Sequence, residues 1–222
     1  MFVVVTLAAI GLGLIVVPAE RQRRAVQAIR QVGGTVEYET DDNRQALVRA
    51  PQWLQTMIGE DYFRKVIEVS LRSKQISDSD LEHLNGLTSL RRLDLAYTQC
   101  SDTGLEHLNR LTALQTLDLS STQISDAGLA HLQRLTALQW FDVNDTKISG
   151  AGLEHLKPLP ALRYLNLNHT KTSAAALEHL QRLPALQTLD LGETELSALE
   201  VAELRAALPN CFIIYWQALP KK

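Results

Sequence analysis

The chain has 222 residues, of which 45% are hydrophobic but only 5% aromatic, and its formal net charge is −3 at pH 7. Such a balance gives no basic surface for nucleic acid, so the composition argues against a DNA- or RNA-binding protein. The low aromatic content predicts a core built from aliphatic side chains.

The first predicted element is an uncharged apolar run over residues 2–17, followed by Pro18 and three arginines within the next six residues. As a helix this run reaches about 24 Å, slightly less than the ~30 Å hydrocarbon core of a bilayer. It predicts a transmembrane anchor over residues 1–19, with a cleaved signal peptide or a buried core helix as alternatives. The arginines favour a cytoplasmic position for the rest of the chain. The expected localisation is therefore a single-pass membrane protein, and secretion or periplasmic release after cleavage is the alternative.

Residues 20–66 are predicted to form a helix and a small α+β capping region. Apolar residues recur on one helical face from Glu20 to Val32, and Gly33 with its neighbouring glycine ends the helix. Further along, the pattern predicts a strand, a turn, a returning strand and a short helix at 35–38, 41–43, 46–48 and 53–58. We interpret the segment as a cap over the first layer of a repeat array, with a small sensor region as the alternative.

From residue 67 onwards one apolar frame recurs every 24 residues. The first inward residue of each predicted strand falls at Val69, Leu93, Leu117, Phe141, Leu165, Leu189 and Ile213. A second apolar column follows two residues later, and four leucine columns fill the segments between strands. Because strand side chains alternate, the apolar columns point inwards and the intervening residues point outwards. The frame predicts six stacked 24-residue repeats and a C-terminal cap over residues 67–222.

The last repeat departs from the frame, because Glu203 replaces the histidine and Asn210 replaces a leucine of earlier repeats. This departure is typical of a C-terminal cap. Residues 212–216 are predicted to add a final edge strand, and Trp216 or a neighbouring ring to cover the last leucine layer.

Two polar columns accompany the leucines. A threonine column follows the strands at Thr98, Thr122, Thr146, Thr170 and Thr194. Its hydroxyls are predicted to hydrogen-bond the backbone where the chain leaves each strand. A serine column comes next, at Ser77, Ser101, Ser125, Ser149, Ser173 and Ser197. These serines are predicted to cap short helices, and Asp78, Asp102 and Asp126 to complement the positive helix ends.

The repeat form LxxLxxLxLxxTxxSDxGLxHL, the apolar N-terminus and the segments AVQAIRQVGG and PQWLQTMIGEDYF resemble membrane-anchored leucine-rich-repeat proteins abundant in planctomycete bacteria. The resemblance covers nearly the whole chain. It implies ribonuclease-inhibitor-like repeats, in an α/β solenoid with a curved parallel sheet on the concave face and short helices on the convex face. It also implies a role in protein interaction and brings no catalytic residue with it.

Metal binding and catalysis find little support in the sequence. A histidine column runs along the predicted helices at His83, His107, His131, His155 and His179. No carboxylate or thiolate column is placed to complete a zinc site with it, so we expect a solvated outer face. Cys100 occupies a buried apolar column about four repeats from Cys211, too far for a disulfide. Without a nucleophile elbow, a phosphate loop or a Cys-His pair, we predict no enzyme activity, no cofactor, no metal and no small-molecule substrate.

The outward positions of the predicted sheet form the candidate partner-binding surface. One outward column, which we call the acidic column, consists of Asp94, Asp118, Asp142, Asn166 and Asp190. Its like charges would lie about 4.8 Å apart on neighbouring strands, and their repulsion requires compensation by hydration, by Arg72 and Arg92, or by a basic partner. Trp140 and Tyr164 are neighbouring exposed rings, as is typical of protein interfaces. The predicted contact residues are Arg92, Asp94, Thr116, Asp118, Trp140, Asp142, Asn144, Tyr164, Asn166, Asn168 and Asp190.

These observations predict a non-catalytic interaction module, tethered to a membrane, that binds another protein on its concave sheet. A structural envelope protein that packs through its convex helices is one alternative. An adaptor subunit that recruits substrates to an enzyme complex is another.

Overall fold

A computed structural model of the chain describes residues 19–39 and 64–217. Apart from Ala19, the predicted anchor lies outside the described residues, as do the predicted turn at 41–43, the strand at 46–48 and the helix at 53–58. Among the residues that are described, no helix combines the length and apolar character needed to cross a bilayer.

The described residues build one eight-stranded sheet whose strands follow one another in chain order. The strands are β1 (Thr35–Tyr38), β2 (Val66–Ser70), β3 (Arg92–Asp94), β4 (Thr116–Asp118), β5 (Trp140–Asp142), β6 (Tyr164–Asn166), β7 (Thr188–Asp190) and β8 (Phe212–Ile214). β1 pairs antiparallel with β2, and all later pairs are parallel. Leu93 pairs with Leu117, so the sequence period of 24 equals the strand-to-strand register. The predicted parallel sheet of a repeat solenoid is confirmed.

Short helices return the chain between strands. The α-helices are α1 (19–31), α2 (Asp102–Leu105), α3 (Asp126–Leu129), α4 (Leu177–Leu180) and α5 (Ala198–Ala207). The 3-10 helices are Asp78–Gly86, Glu106–Leu108, Ala130–Leu132, Ala151–Leu156 and Ala174–Ala176. Each 24-residue repeat thus forms one rung, which consists of a strand, a turn, a helical segment and a return.

The core is one continuous, mainly aliphatic cluster that extends from α1 to β8 and includes the ring of Phe141. Helix α1 contributes Ala25, Val26 and Ile29, and the turn that follows it contains Gly33, whose φ of +76° suits glycine. In the rungs, the strand leucines and the helical leucines point inwards as predicted. Cys100 is fully buried and is a free thiol, and burial raises its pKa to about 12.

The turn after each strand is held by the predicted threonine column. Thr122 Oγ1 donates a hydrogen bond to Leu119 O at 2.6 Å. The same bond occurs at Thr98, Thr146, Thr170 and Thr194. The residue before each threonine adopts a left-handed backbone, with Tyr97 at φ 58° as an example. The Tyr97 amide donates to Ser120 O of the next rung at 2.9 Å. The backbone hydrogen bonds between rungs therefore continue through this strained residue and offset its backbone strain.

A serine Oγ accepts from a backbone amide, as predicted, at Ser197 and at Ser149, where the donor is the Ala151 amide at 3.3 Å. Ser197 Oγ accepts from the Glu200 amide at 3.3 Å, and Ser77 binds Asp80 of its own rung. In the interior, Ser125 Oγ instead donates to Asp102 Oδ2 of the preceding rung at 2.5 Å, and the Ser125 amide donates to Oδ1 at 2.7 Å. One carboxylate accepts from both the hydroxyl and the amide of the serine, and hydrogen bonds to a charged acceptor are strong. The serine therefore binds this carboxylate instead of the amides of the helix that follows it. We call this arrangement the Asp–Ser bridge; it joins Asp78 to Ser101, Asp102 to Ser125 and Asp126 to Ser149.

The bridge also explains the glycine of the S-D-x-G-L motif. A Cβ added at Gly128 would lie 2.4 Å from Asp102 Oδ1, so only glycine leaves room for that carboxylate. The bridges stop after Ser149, where Gly150 replaces the aspartate and Ala176 replaces the glycine of the next rung. There the two backbones approach directly, since a Cβ at Gly150 would lie 2.9 Å from Ala176 N.

The last rung closes the solenoid with α5 and β8, the predicted edge strand. Ile213 is buried, and the Tyr215 ring packs against the core while its hydroxyl donates to Leu196 O at 2.7 Å. Trp216 remains 45% exposed and lies against Gly192. A neighbouring ring, Tyr215, therefore packs on the last layer, whereas Trp216 faces the sheet surface.

Candidate interaction surface

The outward residues of β2–β8 form two parallel columns, which we call the sheet face. One column contains Glu68, Arg92, Thr116, Trp140, Tyr164, Thr188 and Phe212. The other contains Ser70, Asp94, Asp118, Asp142, Asn166, Asp190 and Ile214. The register therefore brings the strand residues of the predicted contact set together on one surface.

Arg72 neutralises the first part of the acidic column. Its Nη1 lies 3.4 Å from Asp118 Oδ2 and 3.8 Å from Asp94 Oδ1. The guanidinium also lies over the Tyr97 ring, 4.8 Å from the ring centroid. Arg72 thus contacts two carboxylates on neighbouring rungs and one aromatic ring. Its positive charge compensates the expected repulsion between the two carboxylates.

Arg92 does not compensate the acidic column, contrary to one of the predicted alternatives. Its guanidinium forms a short contact with Glu68 and lies 3.9 Å from Glu37 of β1. The reason is positional, because Arg92 belongs to the column that starts with Glu68, and Glu68 pairs with it across β2 and β3.

Trp140 and Tyr164 are neighbours, as predicted, and their rings stack face to face. Their ring centroids are 5.2 Å apart and the ring planes differ by 4°. Both side chains are partly exposed. The stack holds the two rings in one orientation, so little conformational entropy would be lost when a partner covers them.

Each acidic side chain also closes a turn. Asp118 Oδ1 accepts from the Ser120 amide and Asp142 Oδ1 from the Asn144 amide, both at 2.9 Å. Asp142 Oδ2 additionally accepts from Asn166 Nδ2 at 2.9 Å. Burial, together with the charges of Asp118 and Asp190, raises the pKa of Asp142 despite these hydrogen bonds.

Asp190 lies at the other end of the acidic column. Its Oδ1 accepts from the Gly192 amide at 3.0 Å. Within residues 19–39 and 64–217, no arginine, lysine or histidine forms an ion pair with Asp190 or with Asp142. This end of the sheet face therefore keeps its negative charge uncompensated by the described residues.

Two aromatic residues, one on the sheet face and one just beyond the end of β8, lie outside the predicted contact set. Phe212 is 70% exposed and pairs with Thr188, which puts it in the same column as Trp140 and Tyr164. Trp216 is 45% exposed and meets His169 edge-on at 6.1 Å. The 24-residue step from Thr188 to Phe212 was a signal that could have revealed the first of them.

Asn144 and Asn168 lie just after β5 and β6 rather than within them. Their Oδ1 atoms are buried and have no hydrogen-bond partner among the described residues. The two side chains are partly exposed, as those of Asp142 and Asn166 are.

The helical face carries the histidine column. His131 Nε2 lies 3.8 Å from Glu106 Oε1, and His155 Nδ1 lies 3.1 Å from Gln133 Nε2. In the described part of the chain, no group of three histidine, cysteine, aspartate or glutamate side chains is arranged to hold a metal. A cavity of about 590 Å³ opens between α1 and the first rungs, but it is lined by arginines and glutamates alike. Its mixed charges single out no class of ligand.

Comparisons with known proteins agree with this geometry. Residues 112–171 match the family model of the leucine rich repeat. Among solved structures, internalin C2 of Listeria monocytogenes is 26% identical, with a TM-score of 0.58 over 71% of this chain and 66% of that one. A second Listeria monocytogenes internalin, inlF, is 22% identical, with a TM-score of 0.50 over 70% of this chain and 48% of that one. This chain therefore spans less than two thirds of either neighbour.

The comparison with curated proteins found no match. The family match lies in the middle rungs, and the structural likeness extends over most of the described residues. Together they identify the fold of the described residues as a leucine-rich-repeat solenoid with a parallel sheet.

Proposed function

We propose that this chain is a non-catalytic interaction module that binds a partner protein on its sheet face. Leucine-rich-repeat proteins generally mediate protein–protein interaction and are typically not enzymes. The observation that carries the proposal is the stacked, partly exposed pair of Trp140 and Tyr164 on an otherwise open parallel sheet.

The chemistry of this pair suits a protein interface better than a catalytic site. Large rings bury much area with few rotatable bonds, and tryptophan and tyrosine are enriched among the residues that dominate binding energy. The carboxylates of Asp142 and Asp190, which form no ion pair with a described residue, lie in the column beside the rings, where surface charges accelerate encounter with a partner of opposite sign.

The test is a comparison of captured proteins. The full-length wild type, Trp140→Ala and the helical-face control His107→Ala are immobilised and exposed to an extract of the native membranes. Trp140→Ala should weaken retention of the wild-type partner by about 2 kcal/mol or more, because a central interface ring is lost while the leucine frame is untouched. His107→Ala should retain the partner normally.

A partner that tolerates Trp140→Ala but is lost with His107→Ala would contradict the proposal. That result would move the binding surface to the helical face and favour the envelope-protein alternative.

We also propose that residues 1–19 tether the module to a membrane, on the strength of the uncharged run over residues 2–17. Deletion of residues 1–19 should release the protein into the soluble fraction. Continued sedimentation with membranes after a high-salt wash would reject the tether. Intact-mass measurement separates it from a cleaved signal, since cleavage after Ala19 leaves Glu20 as the first residue.

A further inference from the structure

The chain itself shows how an arginine binds to this surface. Arg72 places its guanidinium over the Tyr97 ring and next to Asp94 and Asp118 on two consecutive rungs. Planar guanidinium groups favour such sites, because they stack on rings and donate to carboxylates at the same time. The first rungs therefore contain an occupied arginine site.

The last rungs repeat the carboxylates of this site without the arginine, and their rings lie in other columns, because His169 and Glu193 hold the positions equivalent to Tyr97. Asp142 and Asp190 lie on the sheet face and form no ion pair with any described residue. The aromatic rings nearby are Trp140, Tyr164, Phe212 and Trp216. The register positions that follow Arg72 hold Ala96, Ser120, Asn144, Asn168 and Gly192, none of which is a cation.

We propose that the partner protein supplies the missing arginine, from a basic segment that docks on the sheet face between β5 and β8. This inference rests on the proposed function and extends its surface to Phe212 and Trp216. Charge complementarity favours a basic segment as the occupant of this surface. At β5–β8 such a segment would meet carboxylates that have no ion-pair partner among the described residues, whereas Asp94 and Asp118 are already neutralised by Arg72. Arginine fits better than lysine, because its flat guanidinium can lie on a ring while its edge reaches a carboxylate.

Asp190 is the best-placed carboxylate for this contact. Its Oδ1 is engaged by the Gly192 amide, and no described residue donates to its Oδ2. Asp142 is less available, because both of its oxygens already accept hydrogen bonds. Asp190→Asn is a mild test variant, since Asn166 occupies the same column naturally and makes the same turn bond to the Asn168 amide at 3.0 Å.

The experiment measures binding of a fluorescent dodecapeptide of alternating arginine and glycine to the full-length protein at low salt. Matched peptides carry lysine or uncharged citrulline instead of arginine. We expect the arginine peptide to bind most tightly and the citrulline peptide most weakly. Asp190→Asn should weaken arginine-peptide binding about 2- to 5-fold, as for an exposed ion pair. Phe212→Ser should weaken it about 3- to 30-fold through loss of a cation–π contact.

Two further variants make the test specific to this part of the surface. Glu154→Gln removes one exposed carboxylate from the helical face and should leave peptide affinity unchanged. Arg72→Ala vacates the occupied site beside Asp94 and Asp118, so it should add peptide binding there. Equal weakening by Asp190→Asn and Glu154→Gln, or equal binding of the arginine and citrulline peptides, would overturn the inference.

The outcomes also separate this inference from the proposed function. If Trp140→Ala loses the native partner while the arginine peptide shows no preference for β5–β8, the interaction module stands and the arginine-bearing partner is rejected. If the native partner tolerates Trp140→Ala, the proposed function itself fails.

Discussion

The two ends of the solenoid share one leucine frame but differ in the contacts that their surface side chains make. In the first rungs, Arg72 holds Asp94 and Asp118, and Asp–Ser bridges tie each rung to the next as far as Ser149. In the last rungs, no Asp–Ser bridge follows Ser149 within the described residues, Asp190 has no cationic partner there, and Phe212 stands 70% exposed.

The difference shows where a repeat protein can specialise. The inward columns are constrained by packing in every rung, so variation accumulates in the outward positions and in the turns. At the N-terminal end these positions stabilise the chain's own structure. At the C-terminal end, Asp142 and Asp190 form no ion pair with a described residue, which is why we propose the binding surface there.

The largest expected effect tests whether both ends share one core. Leu132→Ala in a bridged rung should cost about 2–5 kcal/mol of unfolding free energy, as for other buried leucines, and Leu180→Ala in an unbridged rung should cost a similar amount. Both leucines are fully buried. Urea unfolding followed by circular dichroism measures both values. An unchanged midpoint for either variant would show that its rung is not packed in the common frame.

A second variant breaks the bridged end locally. Gly128→Ala should cost about 1–3 kcal/mol through overpacking, because its Cβ would collide with Asp102 Oδ1. The double variant Asp102→Gly with Gly128→Ala copies the natural pair Gly150 and Ala176, so it should lose less stability than the two single changes added together. Thermal unfolding of the wild type, the two single variants and the double variant gives the coupling free energy between residues 102 and 128. Strict additivity would mean that the carboxylate and the glycine do not meet.

The smallest expected effect depends on pH. Burial would raise the pKa of Asp78, but hydrogen bonds from Ser101 and Thr103 outweigh it, so the pKa lies below the ordinary value of 3.8. A lowered folded-state pKa adds stability above the unfolded pKa, and this stability is lost as the pH falls through the folded value. Asp78→Asn should therefore cost about 1 kcal/mol at pH 7 and progressively less below pH 4. Glu82→Gln is the exposed control, and a pH-independent difference for Asp78→Asn would reject the linkage.

The sequence predicted the features that follow from the repeat period and from bonds within one rung. The period of 24 gave the strand register, and the threonine column gave the turn bond, because both follow from local alternation and spacing. The sequence predicted that Asp102 complements the positive end of its own helix, whereas in the structure its carboxylate accepts a hydrogen bond from Ser125 of the next rung. Such contacts depend on how rungs stack, which spacing within one repeat does not specify.

The candidate surface was predictable to a similar extent. The adjacency of Trp140 and Tyr164 followed from the period, and so did the acidic column. The period did not predict which carboxylates are neutralised, because the contact between Arg72 and Asp118 depends on the side-chain conformation of Arg72. Phe212 was assigned to the cap on its apolar surroundings, although its register already placed it on the sheet face.

The most direct test of the central claim is carboxyl footprinting of the full-length protein with and without its captured partner. Carbodiimide labelling is read at each carboxylate by peptide mass spectrometry. We predict that the partner protects Asp142 and Asp190 and leaves Asp94 and the helical-face Glu154 labelled as before. Protection confined to Glu154 or Asp94, with labelling of Asp190 unchanged, would contradict a binding surface at the C-terminal end of the sheet.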